Sequence, residues 1–130
     1  MKARFLLLVA AAWLGAAIPA PAHHSFAAEF DINKPITISG AVTRLEWRNP
    51  HVWFYIDVKG KDDAATSWGL EMGSPNGLIR AGWTRTSMKV GDLVSVDGYL
   101  ARDGSHTANA RAVTLMSTGQ RLFAASSQQP

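Results

Sequence analysis

The sequence predicts an all-β fold with one short helix, a small five-stranded barrel of the OB type. Three observations lead there. Apolar and polar residues alternate with period two through at least four segments, the mark of half-buried strands. One helix signal, Ser74-Pro75-Asn76-Gly77-Leu78-Ile79-Arg80-Ala81-Gly82, falls between the third and fourth of them, with a Ser cap, Pro at the first helical position and Gly at the end. The first strand is long and changes its inward face partway along, as a strand does when it bends around a closing sheet. Three strands, a helix and two further strands form the OB order.

Residues 1–22 read as a cleaved secretory signal. They carry a basic start at Lys2 and Arg4, an apolar run over 5–18, and Ala20-Pro21-Ala22 as a small-x-small cleavage site. The run is shorter than the ~20 residues that span a bilayer. The expectation is a periplasmic or secreted protein with no transmembrane span after cleavage and with His23 as its new amino terminus. Of 13 Lys and Arg, Lys2 and Arg4 leave with the leader, so the mature chain is nearly balanced against 10 acidic residues. That argues against nucleic acid as a partner, since a phosphate backbone calls for a concentrated basic stripe. Cysteine is absent, which removes disulfides, thiolate metal sites and thiol nucleophiles together.

Residues 23–35 read as an irregular arm pinned by Phe26, Phe30 and Ile32, with Pro35 ending any helical continuation. The barrel domain covers 36–124. Its first strand, 36–48, has Ile36, Ile38 and Val42 on one parity and Leu45 and Trp47 on the other, so a bulge is expected near Thr43 or Arg44, eased by Gly40. Asn49-Pro50 turns the chain. From His51 the second strand points Val52, Phe54, Ile56 and Val58 inward, with His51, Trp53, Tyr55 and Asp57 outward. The polar loop 59–63, including Asp62-Asp63, reads as a solvated turn. The third strand, 66–72, points Trp68, Leu70 and Met72 inward and Glu71 outward, in a register that sets Trp53 opposite Glu71 with His51 diagonal to both. Met72 and Met116 fit core or strand positions, and Met88 precedes a turn. Further strands are expected over 93–100, 107–115 and 121–123, separated by turns at 102–105 and Gly119-Gln120. Residues 125–130 form a polar, disordered tail.

Two constellations carry chemistry. The first joins a freed His23, whose amine and imidazole both titrate near neutrality, to His51, with His24 as a neighbouring ring and Glu71 as a further or orienting ligand. Such a three-nitrogen set is similar to the histidine brace of periplasmic copper proteins and copper oxygenases, and imidazole and amine donors suit Cu(II), which leads the affinity order of first-row divalent ions. A cut after Ala20 would leave Pro21-Ala22-His23, itself a square-planar chelate for Cu(II) or Ni(II). The plainer reading makes His23 and His24 a mobile start to the mature chain and His51 a hydrogen-bonded strand starter.

The second constellation is the outward face of the first hairpin, Glu46, Arg48, Trp53 and Tyr55, with Tyr99 joining from the fourth strand. It suits a metal-independent contact with an envelope protein or a saccharide by stacking. Its plainer reading has the arm folding over these rings. His106 lies in a loop and is expected to be solvated. No Gly-x-Ser-x-Gly, phosphate-binding glycine loop or His-Glu-x-x-His occurs, so no catalytic residue is assigned.

Blocks along the mature chain add a resemblance. His23-His24-Ser25-Phe26, Glu29-Phe30-Asp31, Glu46-Trp47-Arg48-Asn49-Pro50-His51-Val52-Trp53, Gly73-Ser74-Pro75-Asn76, Gly82-Trp83-Thr84-Arg85, Val96-Asp97-Gly98-Tyr99 and the segment from Ala108 to Leu115 resemble, in the same order, a family of small exported bacterial proteins known as a domain of unknown function. The resemblance implies an exported small β domain and carries no catalytic role with it.

Overall fold

A computed structural model describes residues 25–125. The described chain opens with a one-turn helix, α1 (Phe26–Glu29), and runs directly into β1 (Phe30–Glu46). β2 (Trp53–Lys59) and β3 (Ala65–Glu71) follow, then α2 (Pro75–Arg80), β4 (Leu93–Ala101), β5 (Thr107–Leu115) and β6 (Arg121–Phe123). Neighbouring strands pair in the order β3-β2-β1-β4-β5-β6, and a further pairing of β3 with β5 closes the first five into a ring. That closing pair is parallel, with Gly69 opposite Thr107, Leu70 opposite Ala108 and Glu71 opposite Asn109. The strand order and the place of α2 are those predicted for the OB arrangement.

The face switch in β1 is a bulge at Thr43. Val42 pairs with Ile56 while Arg44 pairs with Tyr55, so Thr43 is the extra residue, which turns Leu45 and Trp47 toward the same interior as Val42. Gly40 lies just before it, where a Cβ would overlap the backbone carbonyl of Asp57. Beyond the bulge Glu46 stands opposite Trp53, and the Asn49–Pro50 peptide in the connection is cis. Inside the ring Val42, Phe54, Ile56, Leu70, Val94 and Val96 are buried, each from the inward parity of its strand. α2 covers one end through Leu78, and Ser74 caps it by accepting from the backbone N–H of Gly77 at 3.1 Å. Trp83, also buried, donates its indole N–H to the carbonyl of Phe123 at 2.8 Å, which holds β6 in place.

Several boundaries differ from the expectation. The described part of the arm, 25–35, is ordered secondary structure rather than irregular chain, because Phe26 and Phe30 are buried and Phe26 packs edge-on against Tyr99 at 5.9 Å. Pro35 is accommodated within β1 because the β1–β4 register is irregular between Phe30 and Pro35. Ile32 is exposed and pins nothing. β1 ends at Glu46, and β2 begins at Trp53 rather than His51. Val52 nonetheless exchanges backbone hydrogen bonds with Met72 and Gly73. Met88 is buried and Met116 exposed, so the interior methionines are Met72 and Met88. The predicted leader, His23, His24 and residues 126–130 of the tail lie outside the described residues.

Candidate functional site

Glu71 is the centre of the site. It is the last residue of β3, opposite Trp53 on β2 and Asn109 on β5, and its parity points it out of the ring as predicted. Its side chain is nevertheless only 9% exposed. The closing strand β5 brings Asn109 beside it, and the Asn109 amide donates to Glu71 Oε1 at 3.4 Å. His51, in the connection just before β2, sets Nδ1 3.0 Å from the same oxygen. His51 and Glu71, expected on one face from register, are therefore within hydrogen-bond distance of each other.

Burial pushes the Glu71 carboxyl up to about 7, the negative charge of Glu29 adds to that rise, and the Asn109 hydrogen bond opposes it. Glu29, the last residue of α1, is near enough for its charge to act on Glu71. α1 is held there by Arg102, whose Nε donates to the carbonyl of Ala27 at 2.8 Å, whose backbone N–H donates to the carbonyl of Glu29 at 2.8 Å, and whose guanidinium lies 3.6 Å from Asp31.

The other predicted site residues lie along the first hairpin, where Arg48 is exposed. It pairs with Glu46 at 2.8 Å, and Glu46 also takes Arg44 at 3.3 Å. The guanidinium of Arg44 in turn lies over the Tyr55 ring, 3.8 Å from its centroid. Glu46, Arg48 and Tyr55 thus share one connected surface with Arg44. Trp53 stands opposite Glu46, and its ring leans over Gly69 together with that of Tyr55, where the missing side chain leaves room. Among the described residues no group of three or more His, Cys, Asp or Glu is arranged to hold a metal ion, so His51 and Glu71 would need donors from His23 or His24 to complete a centre. His106 is exposed, its ring 5.0 Å from that of Trp68. Asp62 accepts from the backbone N–H of Ala64 at 3.2 Å and Asp63 has φ 62°, as a turn requires.

Sequence reasoning missed Glu29 and Asn109. Asn109 carries a readable signal, an amide between Ala108 and Ala110 in a strand where all three are buried. A polar group in that setting needs a buried partner, and the parallel pairing of β3 with β5 supplies Glu71. Beside the cluster opens a concavity of about 500 Å³ between α1, Trp53 and the β4–β5 turn. No helix among the described residues is long and apolar enough to cross a membrane.

Fold and site together define a small OB-type domain with a half-buried histidine paired to a buried carboxyl group at its rim. The chain belongs to a family of unknown function (DUF6152), whose model matches residues 12–110. No curated protein matches it. Among solved structures it is similar to the mitochondrial single-stranded DNA-binding protein Rim1 of S. cerevisiae, at 12% identity over 64% of this chain and 93% of that one, with a TM-score of 0.51. At that identity the likeness establishes the OB-type fold alone.

Proposed function

We propose that this is an exported metal-binding protein that holds a divalent ion, with Cu(II) preferred, between His51 and the amino-terminal His23. The reading rests on the contact of His51 Nδ1 with Glu71 Oε1 at 3.0 Å. Histidines that bind metals characteristically direct their second ring nitrogen at a carboxylate, which sets the ring's tautomer and angle. Here Glu71 has that role, and Nε2 is the coordinating atom. Asn109 supports the carboxylate in turn.

Reach and charge agree with the assignment. α1 spans only Phe26–Glu29, and the charge of Glu29 acts on Glu71. His23 precedes Ser25 by two residues, or roughly 7 Å of extended chain. Two carboxylates facing one small region favour a cation there. With no cysteine in the chain, the donors are imidazole, amine and carboxylate, the set that suits Cu(II). When bound, the ion would supply a Lewis-acidic or redox centre, while this chain's own part is to orient the ring and shield it from water.

The test is Cu(II) titration of protein that begins at His23, followed by calorimetry and elemental analysis. One equivalent is expected, weakened at least about tenfold by His51→Ala and by one extra residue placed before His23. Affinity no greater than that of a free peptide with the sequence of residues 23–30 would end the proposal. Thermal melts of each variant establish that the fold survives.

A further inference from the structure

The concavity beside the cluster is lined by residues that the proposed metal site does not use as ligands. The indole of Trp53 forms one wall, Glu29 and Arg102 stand at the α1 side, and Asp103, Ser105 and Thr107 come from the β4–β5 turn and the start of β5. Its volume of about 500 Å³ lies within the usual range for small-molecule sites. We propose that it binds a neutral or amino-bearing saccharide unit, with one sugar face laid on Trp53 and the ring hydroxyls bonded to the polar rim.

The chemistry of the lining selects that class. A sugar ring offers an apolar C–H face and an edge of hydroxyls that both donate and accept. An indole suits the face, being broad, rigid and apolar. The edge needs mixed partners, and the rim supplies carboxylates that accept, at Glu29 and Asp103, with hydroxyls that do both, at Ser105 and Thr107. The backbone N–H of Ser105 already donates to Asp103 Oδ1 at 2.9 Å, which orients that carboxylate.

Charge narrows the class further. Among the described residues the only cation in the lining is Arg102, and its guanidinium is turned toward α1, with Nε on the carbonyl of Ala27 and NH1 3.6 Å from Asp31. The field is therefore acidic, which disfavours uronic acids, sugar phosphates and nucleotides. Trp53 is also the one ring of the predicted outward set available to such a ligand, since Arg44 lies over Tyr55 and Phe26 packs against Tyr99. The proposal does not depend on metal, and it moves the expected aromatic contact from the hairpin face to the α1 side of Trp53.

Metal-free protein should be titrated with cellotetraose, chitotetraose and tetragalacturonate by calorimetry, and by amide NMR of the wild type. Saturable binding of a neutral probe is expected, with shifts confined to Trp53, α1 and the residues around Asp103 and Ser105. Trp53→Ala should weaken it at least about tenfold, and Tyr55→Ala should leave it within about twofold. The wild-type shift map stands as the readout if Trp53→Ala does not fold. The proposal is overturned by no saturation with either neutral probe up to about 10 mM, by preference for tetragalacturonate, or by shifts that map elsewhere.

Discussion

Asp97 and Glu71 are two carboxylates on outward-facing positions of the same ring, and their environments drive them in opposite directions. Asp97, on β4, accepts from the Thr37 hydroxyl and from the Arg121 guanidinium, each at 2.6 Å, and its side chain is 28% exposed. Its carboxyl is held below the usual range, first by Thr37 and then by Arg121. Glu71 is pushed up to about 7, first by its burial and then by the negative charge of Glu29. One is a strut joining β1, β4 and β6. The other is kept in a place that disfavours its charge, and such groups cluster where proteins bind and react.

The harshest way to break this contrast is Gly98→Ala. Gly98 follows Asp97 where the β4–β5 register shifts, and a Cβ there would overlap the backbone carbonyl of Asn109. Both carboxylates lose their setting when that strand moves, so a loss of at least about 3 kcal/mol is expected in urea unfolding. The pH dependence is next. Between 4.5 and about 7 the folded chain keeps the Glu71 proton while the unfolded chain releases it, so stability of the metal-free protein falls as pH rises through that window. The decline should be about 3 kcal/mol and should flatten in Glu71→Gln, as measured by unfolding at a series of pH values.

Asn109→Ala is expected to cost about 1.5 kcal/mol. It should also raise the Glu71 carboxyl further, because the amide bond now opposes that rise, and carbon-13 NMR titration of the carboxyl reads the change. Asp97→Asn is the mildest. It should cost below about 1 kcal/mol at neutral pH, and the difference from wild type should disappear as pH falls well below 3.8, where Asp97 protonates in the folded chain too. A carboxyl depressed by its partners stabilises above its unfolded value and loses that contribution in acid, the reverse of Glu71.

The fold was legible because the interior is built from strict alternation. Val52, Phe54 and Ile56, together with Leu70 and Met72, are buried as their parity requires, and the break in parity at Thr43 marked the bulge. The register of Trp53 against Glu71 followed from loop length alone. What the sequence hid depends on contacts between distant segments. Outward parity says that a side chain leaves the ring, and it does not say whether another strand then covers it, so the burial of Glu71 beside β5 was not legible. Pro35 misled in a similar way, because its tolerance inside β1 rests on a register irregularity with β4. Arg102 sits in a turn whose composition reads as solvent-facing, while its contacts are to residues more than seventy positions earlier.

The parallel pairing of β3 with β5 bears on how the molecule assembles. Hairpins such as β1–β2 and β2–β3 join near neighbours in sequence, whereas Glu71 meets Asn109 across 38 residues that include α2 and all of β4. Contacts of that span close a large loop and come late in folding. The Glu71–Asn109 bond at the rim is the clasp of this closure, and it forms only once β5 has docked. An ion captured by His51 would then act on the whole chain as a latch, favouring the shut ring by its own binding free energy.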